Sequence, residues 1–228
     1  LSDTDQYRQH RWNHAPDTAR ILLCRHGESE PARPDTPFPL VDGHGDPALH
    51  ENGQRQAAAL GERLAAMAGV STVYVTTLRR TVQTAAPFLQ LSGLRAEIEP
   101  DLREVFLGDW EGGELRVRAA AGDPIFAEVL TAQRWDVIPG AEPLDAFSKR
   151  TSTAIERIAE RHPGETVAVF THGGVIGQVV ADVVGVRGFA FAGADNASIT
   201  EIAVSPERKL LRRFNDTAHL ENRDEIDA

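Results

Sequence analysis

Two histidines in this chain share one setting. His26 follows the apolar run Ile21-Leu22-Leu23-Cys24 and a single arginine, Arg25, while His172 follows an apolar run ending at Phe170 and a single threonine, Thr171. Each is followed at once by glycine, Gly27 in the first case and Gly173-Gly174 in the second. A neutral imidazole, with an ordinary pKa of about 6.5, is a competent nucleophile near neutral pH, and among positive groups it is suited to accepting a phosphoryl group. Arg25 adds a planar fork that matches phosphate. Gly173 and Gly174 let the backbone approach closely where a helix is expected to begin, so that free N–H groups and the positive end of a helix dipole face an anion. The plain alternative for Arg25-His26-Gly27 is a polar exit turn in which glycine supplies a positive φ.

These residues can meet only if the two apolar runs are parallel strands of one sheet, because such strands deliver their carboxyl ends to a common edge. The pattern predicts strands at 20–24, 70–75, 96–98 and 166–170, with an amphipathic helix over 51–67 carrying Ala57, Leu60, Leu64 and Met67 on one face. A helix capped by Thr76-Thr77 and kinked at Pro87 is expected to run to about Leu91. Two poorly patterned helical segments fit between 114 and 133. A long helix over 142–161 and another over 175–184 follow, and 196–204 with 209–214 read as a hairpin. The stretch 28–46 holds four prolines and reads as irregular; a loop that long in a compact domain is usually functional. A second loop, 102–113, carries Arg103, Glu104, Asp109, Trp110 and Glu111. The expectation is one α/β domain with a single doubly wound, mostly parallel sheet flanked by helices over 19–215, an N-terminal arm over 1–18 and an acidic tail over 216–228.

Composition narrows the partners. With 24 basic against 34 acidic residues the net charge is -10, which repels phosphate backbones and acidic membrane surfaces. Neither nucleic acid nor membrane is expected as a partner, and an anion site must be a local basic pocket. The single cysteine, Cys24, lies in the apolar run and reads as a small core residue. No stretch approaches 18 apolar residues and 2–17 lacks a signal-peptide apolar region, so cytoplasmic residence is expected. Leu1 rather than Met at the start leaves a longer natural N-terminus open. His10 and His14, four apart, could bind metal if helical, but Pro16 and the lack of a cysteine partner favour surface histidines. His44 and His50 read as surface residues of the first loop, with substrate contact as the alternative.

Five motifs in order carry a resemblance. Arg25-His26-Gly27-Glu28, Asp46-Pro47-Ala48-Leu49-His50-Glu51-Asn52-Gly53, Leu78-Arg79-Arg80-Thr81-Val82-Gln83-Thr84, Leu102-Arg103-Glu104 with Gly108-Asp109-Trp110-Glu111-Gly112, and Thr171-His172-Gly173-Gly174 resemble the histidine phosphatase superfamily. That group includes the cofactor-dependent phosphoglycerate mutases, and the fold implied is phosphoglycerate mutase-like. The resemblance implies that His26 takes the phosphoryl group as a phosphohistidine and that Arg25, Arg80 and His172 bind its oxygens, beside the backbone at Gly173. Glu104 would protonate the leaving group and then deprotonate water. It selects Arg80 over Arg79, ranks Asn196 and Ser198 behind the site, and implies no metal or other cofactor. Asp109 or Glu111 is the alternative acid. Ala32 departs from the family, where many members carry Asn at this spacing, so a side-chain amide near the phosphate is missing.

The reading that follows is a metal-independent phosphoric monoester hydrolase, similar to histidine acid phosphatases, acting on a small phosphorylated substrate. The short loop after Glu104 weighs against the mutase alternative. A weakly active phosphate-binding or scaffold homologue is the non-enzymatic rival. Of the arginines in the variable segments, Arg33, Arg116, Arg118 and Arg134 permit a second anionic group on the substrate. A homodimer is compatible with the resemblance.

Overall fold

The computed structural model describes residues 15–67 and 69–220. His10 and His14, most of the expected arm and the end of the tail lie outside the described residues. In chain order the elements are β1 (Ala19–Arg25), β2 (Leu40–Val41), β3 (His44–Gly45), α1 (Glu51–Ala66), β4 (Val70–Val75), α2 (Arg79–Ser92), β5 (Ala96–Ile98), α3 (Glu114–Ala121), α4 (Pro124–Ala132), α5 (Leu144–Arg161), β6 (Thr166–Thr171), α6 (Gly173–Val184), β7 (Ile199–Val204) and β8 (Lys209–Asp216). Six strands form one sheet in the order β5-β4-β6-β1-β7-β8. The first four are parallel neighbours, and β7 and β8 complete the sheet antiparallel. The mostly parallel, doubly wound sheet expected from the sequence is thus the one observed.

Alternation along β1 explains the layering. Ile21 and Leu23 join Phe147, Ile155 and Ile158 of α5 and Val175, Ile176 and Val179 of α6 in one core. Leu22 and Cys24 point the other way, into a core with Leu60 and Leu64 of α1 and Ala85 and Phe88 of α2. Successive strand side chains take opposite faces, so a strand buried on both faces must be apolar at every position, and 21–24 is. Cys24 is completely buried, and burial pushes its thiol pKa up, out of nucleophile range. A third cluster of Trp110, Val129 and Ile138 packs beside the sheet's carboxyl edge, making Trp110 chiefly an anchor.

Three details depart from the sequence reading. The loop 28–46 contains a small hairpin, β2 with β3, turned by Asp42 and Gly43 at positive φ; Asp-Gly is a strong hairpin signal that the flanking prolines obscure. Helix α2 begins at Arg79 and has no side-chain cap on Leu78, because Thr76 faces His172 instead of serving as N-cap. At the other end, β8 includes Asp216 and Leu220 still packs on the core, so the ordered chain runs past 215. The α2 helix passes unbroken through Pro87, against Gly61 of α1, where an added Cβ would lie 2.9 Å from the nitrogen of Phe88.

Gly53, at the start of α1, ties the second motif to the first. The Glu28 carbonyl lies so close to it that an added Cβ would run into the oxygen, and Gly27 abuts Gly53 from the other side. Both neighbours are backbone and cannot swing away. Gly53→Ala is therefore expected to destabilise by about 3 kcal/mol or more, the upper end for overpacking. In a domain of this size that corresponds to roughly 2–4 °C in Tm per kcal/mol, readable by thermal unfolding. An unchanged Tm would show that α1 can shift away from the His26 loop.

Candidate active site

The register of the sheet sets the site. Arg25 of β1 pairs with Thr171 of β6, and Phe170 of β6 pairs with Val75 of β4. Three adjacent parallel strands therefore end level, and the next residues are His26, His172 and Thr76. The His26 N–H donates to the Thr171 carbonyl at 3.0 Å, and the two imidazole centroids lie 5.3 Å apart. From the antiparallel side, the Asn196 side-chain amide donates to the His26 carbonyl at 2.9 Å, and the Ala197 N–H reaches the carbonyls of Arg25 and His26. Ser198 pairs through its carbonyl with the Arg25 N–H.

Hydrogen bonding fixes the tautomer of His26. Its Nδ1 lies 2.7 Å from the Gly27 carbonyl, which can only accept, so Nδ1 carries the proton and Nε2 keeps its lone pair. The ring is buried, and burial first, then the charges of Arg80 and Arg25, hold its pKa well below the usual 6.5. His172 is wholly buried and held down in the same way, with burial first and then Arg80. Its Nε2 lies 3.1 Å from the Thr76 hydroxyl, and its Nδ1 has no partner. Thr81 donates its proton to the Leu78 carbonyl at 2.8 Å and stands 3.0 Å from Thr76, extending the polar chain behind His172.

Two guanidiniums flank His26. Arg25 donates to the Ala194 carbonyl, leaving its buried Nε unpartnered, and lies against Gly173 closely enough that a Cβ there would be 3.2 Å from Nε. Arg80 donates to the Gly45 carbonyl at 2.9 Å, and burial lowers its pKa to about 10, so it remains charged at neutral pH. Its neighbour Arg79 turns away, paired with Asp46 at 2.9 Å. Arg80, the arginine selected from the motif, is the one the fold brings to His26.

Glu104 sits opposite. Its Oε2 accepts the Gly174 N–H at 3.1 Å and its Oε1 accepts the Val105 N–H at 3.0 Å. The helix N-terminus expected to face a phosphate thus also holds this carboxylate, and a Cβ at 174 would come 2.5 Å from Oε1, so a side chain there would push the Glu104 carboxylate aside. Behind it, Arg150 of α5 donates to the carbonyls of Asp101 (2.6 Å), Arg103 (2.8 Å) and Glu104 (3.0 Å) while pairing with Glu142 at 2.7 and 2.8 Å. One guanidinium thereby fixes the loop that aims Glu104. Of the alternative acids, Glu111 is occupied by the N–H groups of Leu107 (2.9 Å) and Gly45 (2.6 Å), and Asp109 is not on the cavity wall.

A cavity of about 340 Å³ opens over Arg25, His26, Arg80, Glu104 and Gly173, with His172 behind rather than on its wall. Two further residues belong here, one of them read from sequence as a surface histidine and the other as one of four candidate arginines. His44 is 8 % exposed, packs against Phe106 and lines the cavity with Nε2 unpartnered, because the β2–β3 hairpin folds it inward. Arg116 lines it too, donating to Ser29 Oγ at 2.7 Å and the Glu30 carbonyl at 2.9 Å above the Phe38 ring, and its charge adds to the lowering at His26. Ala32 faces Gly113. Arg118 and Arg134 are ion-paired elsewhere, and His50 caps α1. Among the described residues no group of three or more His, Cys, Asp or Glu could hold a metal ion, and no helix is long and apolar enough to cross a membrane.

Known proteins share this architecture. The sequence pattern of the histidine phosphatase superfamily (branch 1) matches residues 21–217. A phosphoglycerate mutase-like protein 4 of Arabidopsis thaliana is 37% identical over 163 residues, covering 70% of this chain and 69% of the relative. A metal-independent phosphoserine phosphatase of the same plant is 28% identical over 222 residues, covering 95% and 91%. Among solved structures, a putative alpha-ribazole-5'-P phosphatase from Escherichia coli superposes with a TM-score of 0.70 at 27% identity, covering 87% of this chain and 96% of its own. With five motifs converging on one sheet edge and a family match across nearly the whole domain, the chain belongs to the histidine phosphatase superfamily.

Proposed function

We propose that this protein is a phosphomonoesterase that works without a metal, through a phosphohistidine on His26. The observation that carries the reading is the lone pair on His26 Nε2, held by the Nδ1–H bond to Gly27 at a cavity wall where Arg25 and Arg80 also stand. Nε2 attacks phosphorus as the ester oxygen leaves, and Glu104 gives that oxygen a proton. The charge on the transferring phosphoryl oxygens is met by Arg25 and Arg80, with the backbone at Gly173 as a further donor, His172 close behind and Arg116 adding field. Glu104, now a carboxylate, takes a proton from water as the water attacks phosphorus, the P–N bond breaks, and phosphate and free His26 are released.

The names of the relatives support phosphomonoester chemistry and leave two outcomes, since one is a phosphoserine phosphatase and another mutase-like. The test is phosphate release from a panel of phosphomonoesters in EDTA, beside a 3- to 2-phosphoglycerate isomerisation assay. Release that survives EDTA is expected. Isomerisation without release would assign a mutase, and silence in both assays would leave a binding role.

A further inference from the structure

We propose that the cavity selects phosphomonoesters of bulky, apolar and preferably aromatic alcohols over those of small alcohols. This rests on the phosphatase reading and names the substrate class for the same site. Arg25, His26, Arg80 and Glu104 surround the phosphoryl position, and Arg116 belongs with them because its charge reaches His26. Much of the remaining wall is apolar, with Leu107, Leu115, Trp135, Phe147 and Phe189, and the ring centroids of Trp135 and Phe189 lie 4.9 Å apart. Gly177, Gly188 and Gly193 complete it without side chains.

Of the polar groups that remain on the wall, His44 keeps its Nε2 unpartnered, and two others are hydrogen-bonded. Glu111 has both oxygens on backbone N–H groups, and Gln178 directs its amide at Asp182 at 2.8 Å. An aromatic alcohol gains from every apolar surface it covers. Seated against the contacting rings of Trp135 and Phe189, such an alcohol would leave its oxygen facing Glu104.

The experiment compares kcat/KM of the full chain, in EDTA and at one pH, for benzyl phosphate, ethyl phosphate, phosphoserine and 3-phosphoglycerate. Benzyl alcohol and ethanol are of nearly equal basicity, so their ratio reports the pocket rather than the leaving group. Benzyl phosphate is expected to exceed each of the others at least roughly tenfold, the scale of a hydrophobic pocket contact. Trp135→Ala and Phe189→Ala should each lower the benzyl-to-ethyl ratio at least about fivefold; a ratio within one preparation does not depend on its folded fraction. Phosphoserine or phosphoglycerate matching benzyl phosphate, a wild-type ratio near one, or a ratio that survives both substitutions would overturn the proposal. No release from any ester would instead strike the phosphatase reading itself.

Discussion

His26→Ala is expected to reduce phosphate release by at least about a thousandfold, the scale on which removing a nucleophile exceeds removing a contact. The substitution leaves β1 and its pairing intact, since the strand ends at Arg25 and the His26 backbone bonds use only the N–H and carbonyl. Circular dichroism should therefore match wild type. In the wild-type protein, quenching turnover in alkali, where a phosphorus–nitrogen bond survives, should trap a peptide containing His26 heavier by one phosphoryl group. A phosphoryl group on His172 instead, or full activity in the alanine variant, would sink the mechanism. The pH dependence has a defined sign. A histidine held below its usual 6.5 keeps its lone pair as acid is added, so the limb of kcat/KM set by His26 lies below that value. Stability is lost earlier on the same acid side: His26 and His172 are buried neutral, the unfolded chain takes up protons on them below about 6.5, and stability falls as the pH drops through that range.

What could be read without coordinates was the chemistry that is local in sequence. Arg25-His26-Gly27 and Thr171-His172-Gly173 announce themselves because a two-face buried strand must be apolar throughout and a charged residue at its end is conspicuous. The meeting of those ends follows from parallel pairing, which the sheet supplies. Residues whose role depends on distant partners were not legible. Arg150 is an ordinary charged position on a helix until α5 is laid across the Glu104 loop, where it gathers three carbonyls. Arg116 is one of several arginines in a weak helical pattern; its reach to Ser29 separates it from Arg118, which pairs with Glu114 and Asp123. His44 reads as surface because a proline-rich loop hides the Asp42-Gly43 turn that folds it inward. Glu111 reads as a spare acid, and only its two backbone partners show that it clamps the loop instead.

Glu104→Gln should divide substrates by their leaving groups. Glutamine keeps the shape and can still accept the Gly174 N–H through its carbonyl oxygen, so the α6 terminus retains its partner while the transferable proton is lost. For an alkyl phosphomonoester, whose alcohol must be protonated as it leaves, kcat/KM is expected to fall about 10²–10⁴-fold, the usual contribution of a positioned acid. For p-nitrophenyl phosphate the leaving phenolate is stable unprotonated, so kcat/KM should change little. Its kcat should nevertheless drop, because the same carboxylate activates water in the second step. Rapid mixing should then show a burst of nitrophenolate equal to the enzyme, followed by slow turnover. Arg150→Met, which frees the loop carrying Glu104 without removing the acid, should repeat the pattern in weaker form: a larger loss on alkyl than on nitrophenyl esters, with no burst if the carboxylate still reaches water. A merely structural arginine would lower both esters together. Equal losses on the two esters in Glu104→Gln would show that the proton comes from elsewhere, and the place of Glu104 on the cavity wall would have to be assigned to binding instead.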